Sequence, residues 1–159
     1  VALAGARLVV ARWSDLRLEE CDAAGLDLER AHLRRIEWLG SRLLGARFID
    51  AQFEDVVFRG DGLEDALFVS ASFKSVRFEH CRLARASFAG ADLSGVVFAG
   101  CDLSQADLRG ARLQGADLRG STLDGLHVAP QDLTGAIIEP GQAAQVVGLL
   151  GVQVLGAET

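Results

Sequence analysis

The stretch ADLRGARLQGADLRGSTLDG at residues 106–125 is four pentapeptides end to end, each with leucine in its middle. A period of five fits neither regular element. Five residues of α-helix advance about 500°, so successive leucines step about 140° around the axis and form no stripe. In a flat strand side chains alternate with period two, and every second leucine would face away from the others. The leucines share one side only if the chain turns a corner once per repeat and winds around a common interior. The period predicts a coil.

The register extends far beyond this stretch. From Leu3 to Ile138 there are 28 centres, all Leu, Phe, Trp, Val or Ile except Ala23, and they take all eight phenylalanines and both tryptophans. Two residues earlier sits a small or aliphatic side chain, as at Ala86, Val96 and Cys101. Two residues later comes glycine 13 times, which suits a sharp corner with φ > 0. At a spacing of 20 the positions sort by chemistry. Leu43, Leu63, Leu83, Leu103 and Leu123 form one column, Phe48, Phe68 and Phe88 a second, and Phe58, Phe78 and Phe98 a third. Four corners therefore close one coil. Seven parallel coils, about 4.8 Å apart, would fill residues 1–140 as an all-β solenoid.

Residues 141–159 leave the register and are expected to cap that solenoid. Ala143, Val146, Val147 and Leu150 recur at i, i+3, i+4, i+7, Gly151 is placed to end the helix, and residues 152–155 alternate as a short strand would. Val1 is already in phase, so the other end shows no comparable cover. There is no methionine, even at position 1, and the sequence reads as starting inside a longer gene product.

The pentapeptides ADLSG at 91–95, CDLSQ at 101–105 and ADLRG at 106–110 and 116–120 resemble the A(D/N)LxX motif of pentapeptide repeat proteins. The resemblance covers residues 1–140. It implies a right-handed quadrilateral β-helix. For the best-known branch of the family it also implies a dimer that resembles B-form DNA in width and acidity, binds DNA gyrase and protects that type II topoisomerase from quinolones.

Composition narrows the functional classes. The chain has 159 residues, 50% hydrophobic and 24% charged, with no apolar run of membrane-spanning length and no signal peptide, which predicts one soluble domain in the cytoplasm. His32, His80 and His127 fall on three different sides without a recurring nucleophile or carboxylate partner. This argues against an enzyme, a metal site and a bound cofactor. Three cysteines at spacings of 60 and 20 suit neither a disulfide framework nor a zinc motif and read as packing residues, including Cys81 and Cys101 one coil apart. Asp61 is the one charged residue among the 28 inward small positions. It is either a hydrogen-bonded interior acid or the tip of a bulge allowed by Gly60 and Gly62.

Net charge bears on partners. Duplex DNA of about 34 Å carries about 20 charges, whereas this chain carries −6. The acids concentrate late: residues 86–159 hold eight acids and three arginines, against seven and eight in residues 1–47. Asp92, Asp102, Asp107, Asp117, Asp124 and Asp132 make up the candidate acidic surface. Ile49, Leu67 and Val69 are outward aliphatic residues on adjacent coils and form the candidate protein-contact patch, with Arg47 and Asp50 as its polar rim. Two readings follow. The broader is a non-catalytic scaffold for a protein partner or a homodimer. The narrower is a partial DNA mimic that binds gyrase. Direct binding of nucleic acid or membrane is not expected.

Overall fold

The computed structural model describes residues 2–156; the phase of Val1 lies outside them. The chain is a parallel β-solenoid whose backbone meets itself at a spacing of 20 residues, from Ala2 against Asp22 to Asp117 against Ile137. A five-stranded sheet runs in chain order through β1 (Arg12–Glu19), β2 (His32–Leu39), β3 (Gln52–Arg59), β4 (Ser72–Glu79) and β5 (Val97–Ala99). All its pairs are parallel and in the same register, as with Trp13, Leu33, Phe53 and Phe73.

The corner residues explain the shape. Each pentapeptide ends in the left-handed region, and glycine is only one way to do so. Thirteen other corners, among them Asp15, Glu20, Arg35, Asp65, His80 and Gln105, hold φ between 49° and 60°. These residues tolerate a conformation that costs about 1 kcal/mol or more because the neighbouring coils fix the backbone around them. The exceptions are positions 130 and 140. Proline cannot reach positive φ, and there the coil gives way to 3-10 helices that begin at Pro130 and Pro140.

The coil count differs from expectation. β1 to β5 are joined by four 20-residue turns, not seven strand-built coils. On the first two sides a single residue per pentapeptide pairs with the next coil between tight turns, so contact there consists of isolated bridges such as Arg47 to Leu67 to Ser87. Only on the third and fourth sides does the chain pair without interruption past a corner. Eight residues of β1 to β4 bend at Asp15, Arg35, Asp55 and Ser75.

The interior follows the sequence columns. Phe48, Phe68 and Phe88 stack with centroids 5.0 and 4.8 Å apart, and Phe58, Phe78 and Phe98 with 4.8 and 5.0 Å. The two stacks meet edge to face, as at Phe58 and Phe68 (86°), so each ring adds roughly 0.5–1.5 kcal/mol per pair to its burial. A 3-10 turn at Pro140–Gln142 then leads into α1 (Ala143–Leu149). Val146 and Leu149 pack on the core, whereas Leu150, expected on the buried face, is exposed. Residues 152–155 form no strand and stay exposed, because their alternation finds no sheet edge to pair with.

Candidate protein-contact faces

Asp61 points inward and is fully buried. Gly62 behind it bridges both Arg42 and Arg82, so the coil has no bulge. Asp61 Oδ1 accepts the Ser41 amide at 2.7 Å. The interior reading therefore holds.

The aspartates that give the repeat its character have a local task. At the first outward position of a pentapeptide the carboxylate accepts the amide two residues on: Ser94 N to Asp92, Ser104 N to Asp102, Arg109 N to Asp107 and Arg119 N to Asp117, at 2.9–3.1 Å. This local bond closes the turn before the corner. Asp107 and Asp117 are further held by Arg109 and Arg119 at 2.8 and 2.7 Å. The arginine bonds come first among the causes that keep both carboxyls below the usual range, and for Asp92 the leading cause is the Ser94 hydroxyl.

The six candidate acids are not brought together. Their 20-residue register puts Asp102 and Asp124 on the first side, Asp107 on the second, Asp92 on the third and Asp117 on the fourth. Asp132 sits in the 3-10 helix and accepts Gly110 N and Ala129 N, both at 3.1 Å.

Ile49, Leu67 and Val69 do share a side. All three are half-buried, between Glu29, Arg47, Ser87 and Ala89. Arg47 is drawn toward Asp27, 3.8 Å away, and Asp50 is an exposed corner. Larger exposed aliphatic surface lies at the ends of the molecule: Val10 and Leu16 in the first coil, and Val152, Val154 and Leu155 in the tail. The sequence reading missed these. Leu16 occupies the same inward column as Ile36 and Val56, and no outward-pointing signal marks it.

On the third side Arg12, Ser14, His32, Arg34, Gln52 and Glu54 line a groove of about 700 Å³. His80 lies over Gly100 at a corner, and His127 bridges Asp107 on the second side. Among the described residues no group of three or more His, Cys, Asp or Glu side chains could hold a metal ion. Nor is any helix among them long and apolar enough to cross a membrane.

The family model for pentapeptide repeats matches eight copies, at residues 25–60 and 86–125. The chain belongs to the pentapeptide repeat family. Among solved structures this pentapeptide repeat chain is similar to QnrB1, a plasmid-mediated fluoroquinolone resistance protein (20% identity, 89% of this chain and 100% of that one, TM-score 0.47). It is also similar to a pentapeptide repeat protein from the thylakoid lumen of Arabidopsis thaliana (23%, 70% and 71%, TM-score 0.44). A third similar structure is HetL, involved in heterocyst differentiation regulation in the cyanobacterium Nostoc sp. strain PCC 7120 (19%, 85% and 90%, TM-score 0.31). Comparison with curated protein sequences gives no match.

Proposed function

We propose that this pentapeptide repeat chain is a non-catalytic scaffold that holds a protein partner, or a second copy of itself, on its second side over Ile49, Leu67 and Val69. The observation that carries the reading is the contiguity of these three half-buried aliphatic side chains in the middle of the solenoid. Beside them lie pairs of opposite charge, such as Asp65 with Arg85 at the preceding corner and Asp27 with Arg47 in the same column. Family members are in general structural or interaction scaffolds. Small apolar anchors with a polar rim are what a modest protein interface uses.

The test is the double substitution Ile49→Glu with Val69→Glu. Both side chains leave the core free, so circular dichroism should be unchanged. Self-association by sedimentation, or capture of a partner, should weaken by about tenfold or more, the equivalent of about 1.4 kcal/mol; unchanged binding would make the patch ordinary surface. The narrower reading, a gyrase-protecting DNA mimic, predicts that the purified chain inhibits or shields gyrase supercoiling at micromolar concentration. The local pairing of Asp107 and Asp117 with arginines, and the spread of the acids over four sides, favour the broader reading over this one.

A further inference from the structure

One interior column of the solenoid is polar. At 20-residue intervals it runs Cys21, Ser41, Asp61, Cys81, Cys101, Ser121, all buried. Its rungs repeat one pattern of bonds. The side chain donates its proton to the carbonyl 23 residues back: Ser41 Oγ to Leu18 O at 3.4 Å, Cys81 Sγ to Phe58 O at 3.2 Å, Cys101 Sγ to Phe78 O at 3.2 Å and Ser121 Oγ to Phe98 O at 3.0 Å. Four of the rungs also reach the carbonyl two residues back. In the other direction the rung oxygen accepts the amide of the coil before it, as Ser41 Oγ does from Cys21 N and Ser121 Oγ from Cys101 N.

Asp61 meets half of this pattern as an anion and all of it as an acid. Oδ1 fills the acceptor half through Ser41 N. Oδ2 is buried and has no partner. The donor slot of this rung, toward the carbonyls of Trp38 and Arg59 by the same register, is the slot that hydroxyl and thiol protons occupy on neighbouring rungs. A carboxylate there would set an anionic oxygen against carbonyl oxygens; a carboxylic acid has the proton the slot requires.

We infer that Asp61 is carried in the folded chain as the neutral acid, its Oδ2 proton closing the polar column, and that loss of this proton makes the solenoid's central coils pH-sensitive. Few charged or titratable groups face it. Cys81 is the next rung, Arg82 lies across Gly62 with its Nη2 above the missing side chain, and Glu64 is paired with Arg82 at 3.5 Å. Burial pushes the Asp61 carboxyl up to about 7, against the opposing pull of the Ser41 amide, the Arg59 backbone and the Arg82 charge. A carboxyl raised in this way stabilises the folded state most fully below its unfolded value, about 3.9, and that stability is lost as pH rises through 7.

Asp61→Asn tests the inference, because its amide keeps both the acceptor and the donor and cannot ionise. Equilibrium urea unfolding of the full chain should be followed from pH 5 to pH 9 for the parent and the variant. The unfolding constant of the parent relative to Asn should rise roughly 100-fold over that range, most of it before pH 7 and little beyond pH 8. Asp61→Ser, which installs the hydroxyl used at rungs 41 and 121, should give the same relative curve and serves alone if the Asn variant does not fold. The fluorescence of Trp38, whose carbonyl lies in the slot, should titrate near pH 7 in the parent and in neither variant. A ratio constant within about threefold across the range would overturn the inference.

Discussion

Gly62 stands where the coils on either side carry Arg42 and Arg82, and the Arg82 guanidinium takes the room it leaves. A Cβ at Gly62 would lie 2.8 Å from Arg82 Nη2 and 3.1 Å from Glu64 Oε1, both flexible ends. Gly62→Ala should therefore change stability by no more than about 1 kcal/mol. By pushing the guanidinium away it should move the Asp61 transition to higher pH, and Arg82→Ala should do the same. pH-dependent urea unfolding reads both; an unmoved midpoint would show that Arg82 has no hold on Asp61. The thiols of Cys81 and Cys101, each only 2% exposed, should resist alkylation in the native chain and react at once in urea. Its hydrogen bond with Cys101, and then burial, push the Cys81 thiol up, which disfavours its thiolate. The inward packing of the cysteines was legible because each stands two residues before a large apolar centre, the small inward position of the repeat. The orientation of Asp61 was not, since two flanking glycines permit a bulge and only the backbone of the neighbouring coils decides. Nor was the role of the repeated aspartates, which look like surface charge until the amide two residues on is seen to donate to them.

Among the elements, the C-terminal cap depends on one buried side chain. Gln142 Nε2 donates to Leu118 O at 2.6 Å and Ser121 O at 2.8 Å, and its Oε1 accepts Glu139 N at 3.0 Å. Gln142→Ala would strand two carbonyls at the end of the solenoid, and thermal melts should show a loss of about 1–3 kcal/mol, with hydrogen exchange fastest in α1 and the last coil. Substitution of Gln145, whose Oε1 accepts Leu123 N at the longer distance of 3.3 Å, should cost less. Helix α1 could be read from the spacing of Val146 and its neighbours. The tail Val152–Leu155 could not, because alternation makes a strand only where an edge is free to receive it. The same reason separates the 20-residue period, which was legible, from the strand content, which was not: on the first two sides the corners follow each other too closely for more than a bridge.

Over the whole molecule two sets of carboxyls oppose one another. Arg35 holds Asp15 below the usual range, Arg59 does so first for Glu79, and Asp92, Asp107 and Asp117 are lowered by their local partners. Their stabilisation is present above the ordinary carboxyl values of about 4 and is lost as pH falls through their lowered values. Asp61 works in the other sense, losing stability from about pH 4 to 7. The parent chain should thus be most stable near pH 4–5, below the common optimum, and Asp61→Asn should move the maximum toward neutrality; a melting-temperature profile against pH checks this. Overall architecture was legible because one period governs most of the chain, whereas a partner face was not, since surface columns carry no period of their own. The fixed 20-residue coil has a mechanical corollary. Removing or duplicating 20 residues shortens or lengthens the body by about 4.8 Å while every side keeps its bearing, whereas a change of five turns everything beyond it by a quarter revolution. Such a chain is a ruler with graduations, able to set the distance between two docked molecules in fixed steps without altering the angle at which they meet.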